Sequence, residues 1–502
     1  MNPIPVLTRD QLRAVEKSAA QSGGTSLMER AGQATAHAAR KLATDTGAPI
    51  LVVAGPGNNG GDAWVAAAHL GEGFHRVVVL DVSGTAPKAP EAKAAKKAIE
   101  ARGADIVREW PQGLRPALVV DGLLGLGLAR DVELQFAQLI ERMNACGAPI
   151  LAIDIPSGLD SDNGVIRGTA VRATHTLTFL AHKVGLHTAD GLDCRGALEL
   201  DDLGAGEESL REARGFLLTP ETAAPWLAPR ARNSHKGDFG SVAVIGGNRG
   251  MIGAALLAAR SALLCGAGKV RTGLLASDAP SVDVAHPELM LGSIDDAISG
   301  CDVMVAGPGA GQSPSATSVS MFERTVLPTL IAANKPLVLD ADALNAIAFN
   351  DTLRHDLVEK RKAATILTPH PAEAARLLGR KTSEVQSHRL DSALDLAQRL
   401  RAHVVLKGAG SICAFPDGRW SINTTGNPGL AAAGSGDVLA GIIGALLAQK
   451  LDAEKALQYA VCLHGAAADS LAGRDVGPVG ITASEVALEA RSVMNTWSRA
   501  AS

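Results

Sequence analysis

The chain has 502 residues, of which 46% are hydrophobic, 20% charged and 3% aromatic; this exceeds one hydrophobic core and sets an expectation of at least two domains with aliphatic, alanine-rich interiors. Lys and Arg total 48 against 52 Asp and Glu, a formal net charge of -4, and without a broad basic face or stacking aromatics no nucleic-acid or membrane partner is expected. Six scattered cysteines with no CxxC pair read as reduced structural thiols rather than zinc ligands. The N-terminus shows no leader-like pattern and no apolar run is long enough to span a bilayer, so a cytoplasmic protein is expected.

From Pro49 onward, short aliphatic runs alternate with longer helical ones: "PILVVAG", "RVVVLDV", "PALVVDGLLG", "PILAIDIPSG" and "THTLTFLA". Their hydrophobicity is continuous rather than alternating, as in strands covered on both faces, so the expected fold class is α/β with a doubly wound, mostly parallel sheet. Between them "APKAPEAKAAKKAIEARG" reads as a solvated helix with a proline-broken entry. After Ala197 the rhythm breaks into "LELDDLGAGEESLREARGFLLTPETAAPWLAPRARNSHKGDFG", rich in charge, Pro and Gly and without a clear strand. A boundary near Arg214 therefore divides the chain into domains 1–214 and 215–502. A second α/β series follows, "SVAVIGGN", "KVRTGLL", "DVMVAGPGAG", "KPLVLDADAL", "ATILTPHPAE", "HVVLKGAG" and "SICAFP", ending in the helices "GDVLAGIIGALLAQK" and "DAEKALQYAVCLHGAAADSLAG".

In open α/β sheets, ligands bind beyond the carboxyl ends of the strands. In the first series these ends carry Gly55 to Asp62, Asp121, and Asp154 with Ser157. If the strands are neighbours, Asn59, Asp121, Asp154 and Ser157 converge as oxygen donors without His or Cys, which suits a hard cation or an organic ligand. Gly55, Gly57 and Gly60 also satisfy GxGxxG, with Asp81 where a ribose-binding acid is expected, so an NAD-dependent dehydrogenase competes. Against it, Asp62 sets a carboxylate close to the pyrophosphate seat. The bland reading of Asp62 is a helix N-cap.

The combination "GPGNNGGDA", "VVDGLLGLGLAR", "LAIDIPSGLDSDNG" and "THTLTFLAHKVGL" closely resembles the NAD(P)H-hydrate epimerase domain across essentially the first 200 residues. That resemblance implies that Asn58, Asn59, Gly60, Gly61 and Asp62 hold the substrate's polar groups. It further implies that Gly125, Leu126, Gly127, Leu128, Ala129, Arg130, Asp131 and Asp154 complete the substrate site, and that Asn59, Asp121 and Ser157 coordinate a potassium ion (K+). Epimerisation of the hydrated nicotinamide ring needs a nearby acid/base group, and Asp121 is the candidate.

In the second series "GNPGLAAAGSGDVLAGIIGAL" places Gly434, Ser435, Gly436 and Asp437 at the start of an apolar helix, where backbone amides and the helix dipole form an anion seat beside a carboxylate. Asp437 can take the proton of a hydroxyl that attacks a phosphate; its bland reading is again an N-cap. "VVLKGAGS" and "TPHPAE" add Lys407 and His370 with Glu373 at strand ends, His370 being by itself more ordinary as a capping side chain. No GxxxxGK[ST] occurs. With "AGPGAGQ", "LDADALNAI" and "LTPHPAEAARLL", this half resembles the ribokinase-like fold, specifically ADP-dependent NAD(P)H-hydrate dehydratase, over about Ala223 to Ser492. The resemblance implies that Ala254, Gly309 or Gly311, His370 and Asp437 contact the hydrated nucleotide. Lys407, Gly408, Ala409, Gly410, Ser411 and Gly436 would contact the adenine nucleotide. Where the family commonly reads MATGGTGD this chain reads "LAAAGSGD", which removes a threonine hydroxyl at Ala432.

The resulting expectation is a bifunctional repair enzyme. Its first domain interconverts the R and S forms of NADH hydrate and NADPH hydrate. Its second dehydrates the S form using ADP with Mg2+, Asp437 acting as base. The reading leaves room for a homo-oligomer. Competing expectations are a vitamin or sugar-alcohol kinase with a regulatory first domain, and a non-catalytic dinucleotide sensor.

Overall fold

The computed structural model describes residues 3–21, 25–45, 47–73, 75–84, 86–128, 130–206, 213–311 and 320–500. The chain forms two compact units, Ile4–Gly215 and Phe216–Ser502, against a sequence expectation that placed the boundary between residues 214 and 215.

In the first unit, β1 (Ile4–Leu7), β2 (Ile50–Ala54), β3 (Val77–Asp81), β4 (Asp105–Val107), β5 (Leu118–Gly122), β6 (Ile150–Ile153), β7 (His175–Phe179), β8 (His182–Lys183) and β9 (Ala197–Asp201) are connected largely by helices. Seven of them make a sheet in the order β4-β3-β2-β5-β6-β7-β9, and each pairing in it is parallel. The order reverses between β2 and β5. There the strands end level, with Ala54 opposite Asp81 on one side and Gly122 on the other, so a crevice opens at the switch point. β2, β3, β5 and β6 are buried along their whole length because helices cover both faces. The two-residue β8 pairs with β1, Leu7 opposite Lys183.

The second unit contains β10 (Gly215–Leu218), β11 (Ser241–Gly246), β12 (Lys269–Leu274), β13 (Met290–Gly292), β14 (Val303–Ala306), β15 (Leu337–Leu339), β16 (Thr365–Leu367), β17 (His403–Leu406), β18 (Ile412–Ala414) and β19 (Trp420–Asn423). They run in the order β13-β12-β11-β14-β15-β16-β17-β18-β19-β10. Pairing is parallel from β13 to β17 and antiparallel from β17 through β19. Again the order reverses, here between β11 and β14. The helix Ser435–Ala448 is buried on nearly every side. Gly441 lets it approach the helix Ile252–Leu264 so closely that a Cβ there would sit 2.0 Å from the Ala258 carbonyl oxygen, and Ser261 Oγ bridges the pair by donating to the Val438 carbonyl at 3.0 Å.

Two sequence expectations change here. The stretch after Ala197 holds β9 and β10 rather than no strand: β9 is a sheet edge with "ALELD" partly or fully exposed along its length, so it lacks the continuous apolar signature of its neighbours. The helix Pro90–Ala101 is one-sided rather than plainly solvated, burying Ala92, Ala95 and Ile99 at helical spacing. All six cysteines are free, five of them buried. No helix among the described residues is long and apolar enough to cross a membrane.

Candidate active sites

The glycines of the first loop have packing duties. A Cβ on Gly55 would lie 1.8 Å from the Leu123 carbonyl oxygen, and one on Gly60 would lie 1.9 Å from the Gly55 oxygen, so both admit only hydrogen. Gly57 is the N-cap of the helix Asn58–Glu72. That start places Asp62 inside the helix rather than at its cap, facing a cavity of about 850 Å3.

Asn58, Asn59, Asp62, Gly125, Leu126, Gly127, Leu128, Arg130, Asp131 and Asp154 all line this cavity; Ala129 lies outside the described residues. Gly60, Gly61, Asp121 and Ser157 do not line it. Asp121 is fully buried below the wall, where it accepts the Ser157 hydroxyl at 2.6 Å, the Ser157 N–H at 2.8 Å and the Leu123 N–H at 3.2 Å. Burial pushes its carboxyl up to about 6 despite these bonds. Asn59 joins the same cluster through the Leu124 carbonyl, to which its amide donates at 2.9 Å and toward which Ser157 Oγ donates at 3.1 Å. Of the three residues expected to share a cation, Asn59 and Ser157 meet at that backbone oxygen, and Asp121 joins them through its bond to Ser157.

The cavity wall carries a different charged pair. Asp154, with φ at 66°, has Oδ1 2.5 Å from the Lys183 ammonium and accepts the Phe179 N–H at 3.0 Å. Lys183 is buried and also donates to Thr178 Oγ1 at 2.8 Å and to the Phe179 carbonyl at 2.7 Å. Asp62 accepts no hydrogen bond among the described residues, and burial, then the negative charges of Asp154 and Glu16, hold its carboxyl well above the usual range. One wall therefore presents an acid whose carboxyl burial raises, beside a lysine-paired carboxylate. Lys183 escapes a sequence reading because a lysine in "FLAHKVGL" looks like a surface residue, and its partner stands on another strand.

In the second unit, Gly434 is the left-handed N-cap (φ 86°) of the helix Ser435–Ala448, and Asp437 stands in the first turn without capping it. Lys407 follows β17; its Nζ donates to Asp340 Oδ1 at 3.1 Å and lies 3.0 Å from where a Cβ on Gly436 would be. Asp340, buried at the end of β15, also accepts Thr368 Oγ1 at 2.6 Å. Burial, then the charge of Asp340, outweigh Lys407 and raise the Asp437 carboxyl to about 7. Asp340 was absent from the sequence expectation, although "LVLDADAL" marks it by the same strand-end rule that marks Asp121.

Ala254 and Gly309 meet at the β11/β14 switch point: a Cβ on Gly309 would be 3.0 Å from the Ala254 Cβ. The Gly311 N–H donates to Asp342 Oδ2 at 2.8 Å. His370 does cap the helix Pro371–Leu378, its Nδ1 accepting the Ala372 N–H at 3.1 Å while Glu373 takes the His370 N–H at 2.8 Å. This capping fixes the ring at the strand end with Nε2 3.2 Å from Glu373 Oε1. Gly408, Ala409, Gly410 and Ser411 form the turn after Lys407; Ser411 Oγ donates to the Gly408 carbonyl at 3.1 Å, and the buried Arg389 reaches the Lys407 carbonyl at 3.3 Å.

Fold and geometry define a two-domain α/β enzyme with an acid/base cavity in one unit and an anion seat beside a carboxylate in the other. A family model described as NAD(P)H-hydrate dehydratase matches residues 242–488, and one described as YjeF-related protein N-terminus matches residues 24–185. The bifunctional NAD(P)H-hydrate repair enzyme Nnr of Escherichia coli (strain K12) is 38% identical, covering 98% of this chain and 94% of its own length. The enzyme of the same name from Thermofilum pendens is 36% identical, with 94% and 93% covered. Among solved structures, the ADP/ATP-dependent NAD(P)H-hydrate dehydratase from Bacillus subtilis, co-crystallised with ATP and Mg2+, is similar with a TM-score of 0.48 and 30% identity, over 56% of this chain and 98% of that one. The chain belongs to the family of bifunctional NAD(P)H-hydrate repair enzymes, with a Rossmann-like first unit and a second α/β unit that has its own switch point.

Proposed function

We propose that this chain restores hydrated NADH and NADPH, epimerising the R and S forms in the first unit and dehydrating the S form in the second. The observation that carries the reading is that both strand-end sites stand in one chain, covered nearly end to end by relatives named for the combined repair.

In the first unit the acid/base work is assigned to the cavity wall. Asp62, its carboxyl raised by burial and by the nearby charge of Asp154, supplies a proton to the hydrated ring, and Asp154, oriented by Lys183, accepts one. Asp121 becomes the residue that holds Ser157 and the Leu123–Leu124 backbone in place. Asn59, Asp121, Ser157 and the Leu124 carbonyl offer only oxygen donors, which fits a hard monovalent cation such as K+. That cation would offset the Asp121 charge and stiffen the loop bearing Gly125 to Leu128.

In the second unit Asp437 takes the proton from the ring hydroxyl as its oxygen bonds to the β-phosphorus of ADP and AMP leaves. The carbon–oxygen bond then breaks with loss of a proton from the adjacent carbon, releasing phosphate and the reduced ring. Backbone amides at Gly434 to Gly436 and the Lys407 ammonium face the transferring phosphoryl group. Mg2+ held on the donor's phosphates would supply charge neutralisation there.

The test is return of reduced-nicotinamide absorbance from epimer-mixed NADH hydrate with Mg2+ and ADP. Full recovery, faster than spontaneous epimerisation allows, is expected. Recovery that stops at the S fraction removes the first activity, and none with either ADP or ATP removes both.

A further inference from the structure

Asp81 ends β3 where a dinucleotide-binding unit places its ribose-binding acid, yet its carboxylate is spent inside the protein. Oδ2 takes the Lys96 ammonium at 2.8 Å, while Oδ1 takes the Ser83 hydroxyl at 2.6 Å and the Ser83 N–H at 3.2 Å. Burial opposes its ionisation, but these bonds prevail and hold the carboxyl below its usual range. A ribose 2′-hydroxyl arriving here would meet a carboxylate that already accepts three hydrogen bonds, one of them from an ammonium.

Beside Asp81 lies a second cavity of about 170 Å3, whose wall includes Asn58, Trp64, Ser83, Lys88 and Ala92. It shares Met28, Pro56, Gly57 and Asn58 with the 850 Å3 cavity, so the two meet across the start of the helix Asn58–Glu72. A Cβ on Gly57 would meet nothing within 4 Å, leaving that backbone open to a ligand crossing from one cavity to the other. The charge on the smaller cavity's rim is positive. Lys96 is matched by Asp81 and lies over the Trp64 ring at 4.9 Å, whereas Lys88 is exposed and has no ion-pair partner among the described residues.

We propose that the smaller cavity seats the adenosine end of the hydrated dinucleotide and that Lys88 takes a 2′-phosphate there, so that the first unit prefers NADPH hydrate over NADH hydrate. The proposal rests on the epimerase reading. With the hydrated ring beside Asp154 in the larger cavity, the pyrophosphate crosses at Gly57 and Asn58, at the helix start, where the first N–H groups have no acceptor among the described residues. The far nucleoside then enters the smaller cavity, whose described lining holds the Lys88 cation for a phosphate and no carboxylate for a hydroxyl.

The test compares the full-length parent with Lys88→Ala and Lys88→Arg. Without ADP only epimerisation runs, and loss of the R form is followed by chromatography for each hydrate. Lys88→Ala should raise KM for NADPH hydrate about tenfold, leave NADH hydrate within about twofold, and keep kcat, while Lys88→Arg restores the parent values. Equal effects on both hydrates, or none, overturn the proposal. If the parent epimerises neither hydrate, the epimerase reading fails instead, and calorimetric titration decides the seat alone. Adenosine 2′,5′-bisphosphate should then bind the parent with a component that Lys88→Ala weakens about tenfold, and identical titrations of the two proteins overturn the assignment.

Discussion

Asp437 shows how one side chain ties chemistry to stability. Burial and the Asp340 charge raise its carboxyl to about 7, so the base form grows as pH rises. Accordingly kcat/KM for dehydration of the S form should climb through about pH 7 and then level off, and Asp437→Asn should lose about a hundredfold or more at every pH. The sign for folding is opposite: a carboxyl whose folded value exceeds its unfolded one favours the native state when protonated, and that contribution is lost as pH rises from about 4 through 7. Asp437→Asn should therefore raise the melting temperature relative to the parent, most above pH 7 and least near pH 4, and a gain independent of pH would contradict this account. In the first unit, Asp121→Asn replaces an acceptor of the Ser157 and Leu123 hydrogen bonds by a group that offers an N–H to one of them. A cost of about 2 kcal/mol in denaturant unfolding is expected. Asp437, Asp62 and Asp154 were legible in the sequence because strand ends and helix starts announce themselves locally. Lys183 and Asp340 were not chosen, since what sets them apart is a partner distant in the sequence, Asp154 for one and Lys407 for the other.

At the scale of elements, the long buried strands could be read from composition, because a strand covered on both faces has no polar side to confuse its pattern. Short or edge strands such as β4, β9, β13 and β19 were missed: a run of three to five residues with a solvated or antiparallel neighbour carries little periodic signal. The GxGxxG spacing was legible as a pattern but not as a cause. Gly55 and Gly60 serve contact between the loop, the helix and the Leu123 backbone, so Gly60→Ala should leave the first unit unable to fold while the second still melts cooperatively by calorimetry. Gly434 carries the corresponding constraint in the second unit, with φ at 86° and the Leu257 Cδ1 2.5 Å from where a Cβ would be. Gly434→Ala should cost about 1 kcal/mol or more from the backbone alone, and the tilt it forces on the anion seat should raise KM for ADP more than that for the hydrate.

On the whole-molecule scale, the domain division was legible in the shift of composition after Ala197, even though strands run through the segment. Each unit has its own sheet order and its own switch point, so the two chemistries should fail separately. With epimer-mixed hydrate and ADP, Asp154→Asn should recover reduced nicotinamide only to the S fraction, and Asp437→Asn should recover none. A mixture of the two variants should recover nearly all of it, because the epimerised hydrate is a free product; a mixture stalled at the S fraction would show that the hydrate does not leave its chain. Trp64, fully enclosed and overlain by Lys96, has one further consequence. An indole held away from water under an ammonium group emits differently from the exposed tryptophans of an unfolded chain, and it forms part of the smaller cavity's wall. The first unit thus contains an intrinsic optical reporter, whose emission should shift when that cavity fills and shift again, separately, when the surrounding helices come apart.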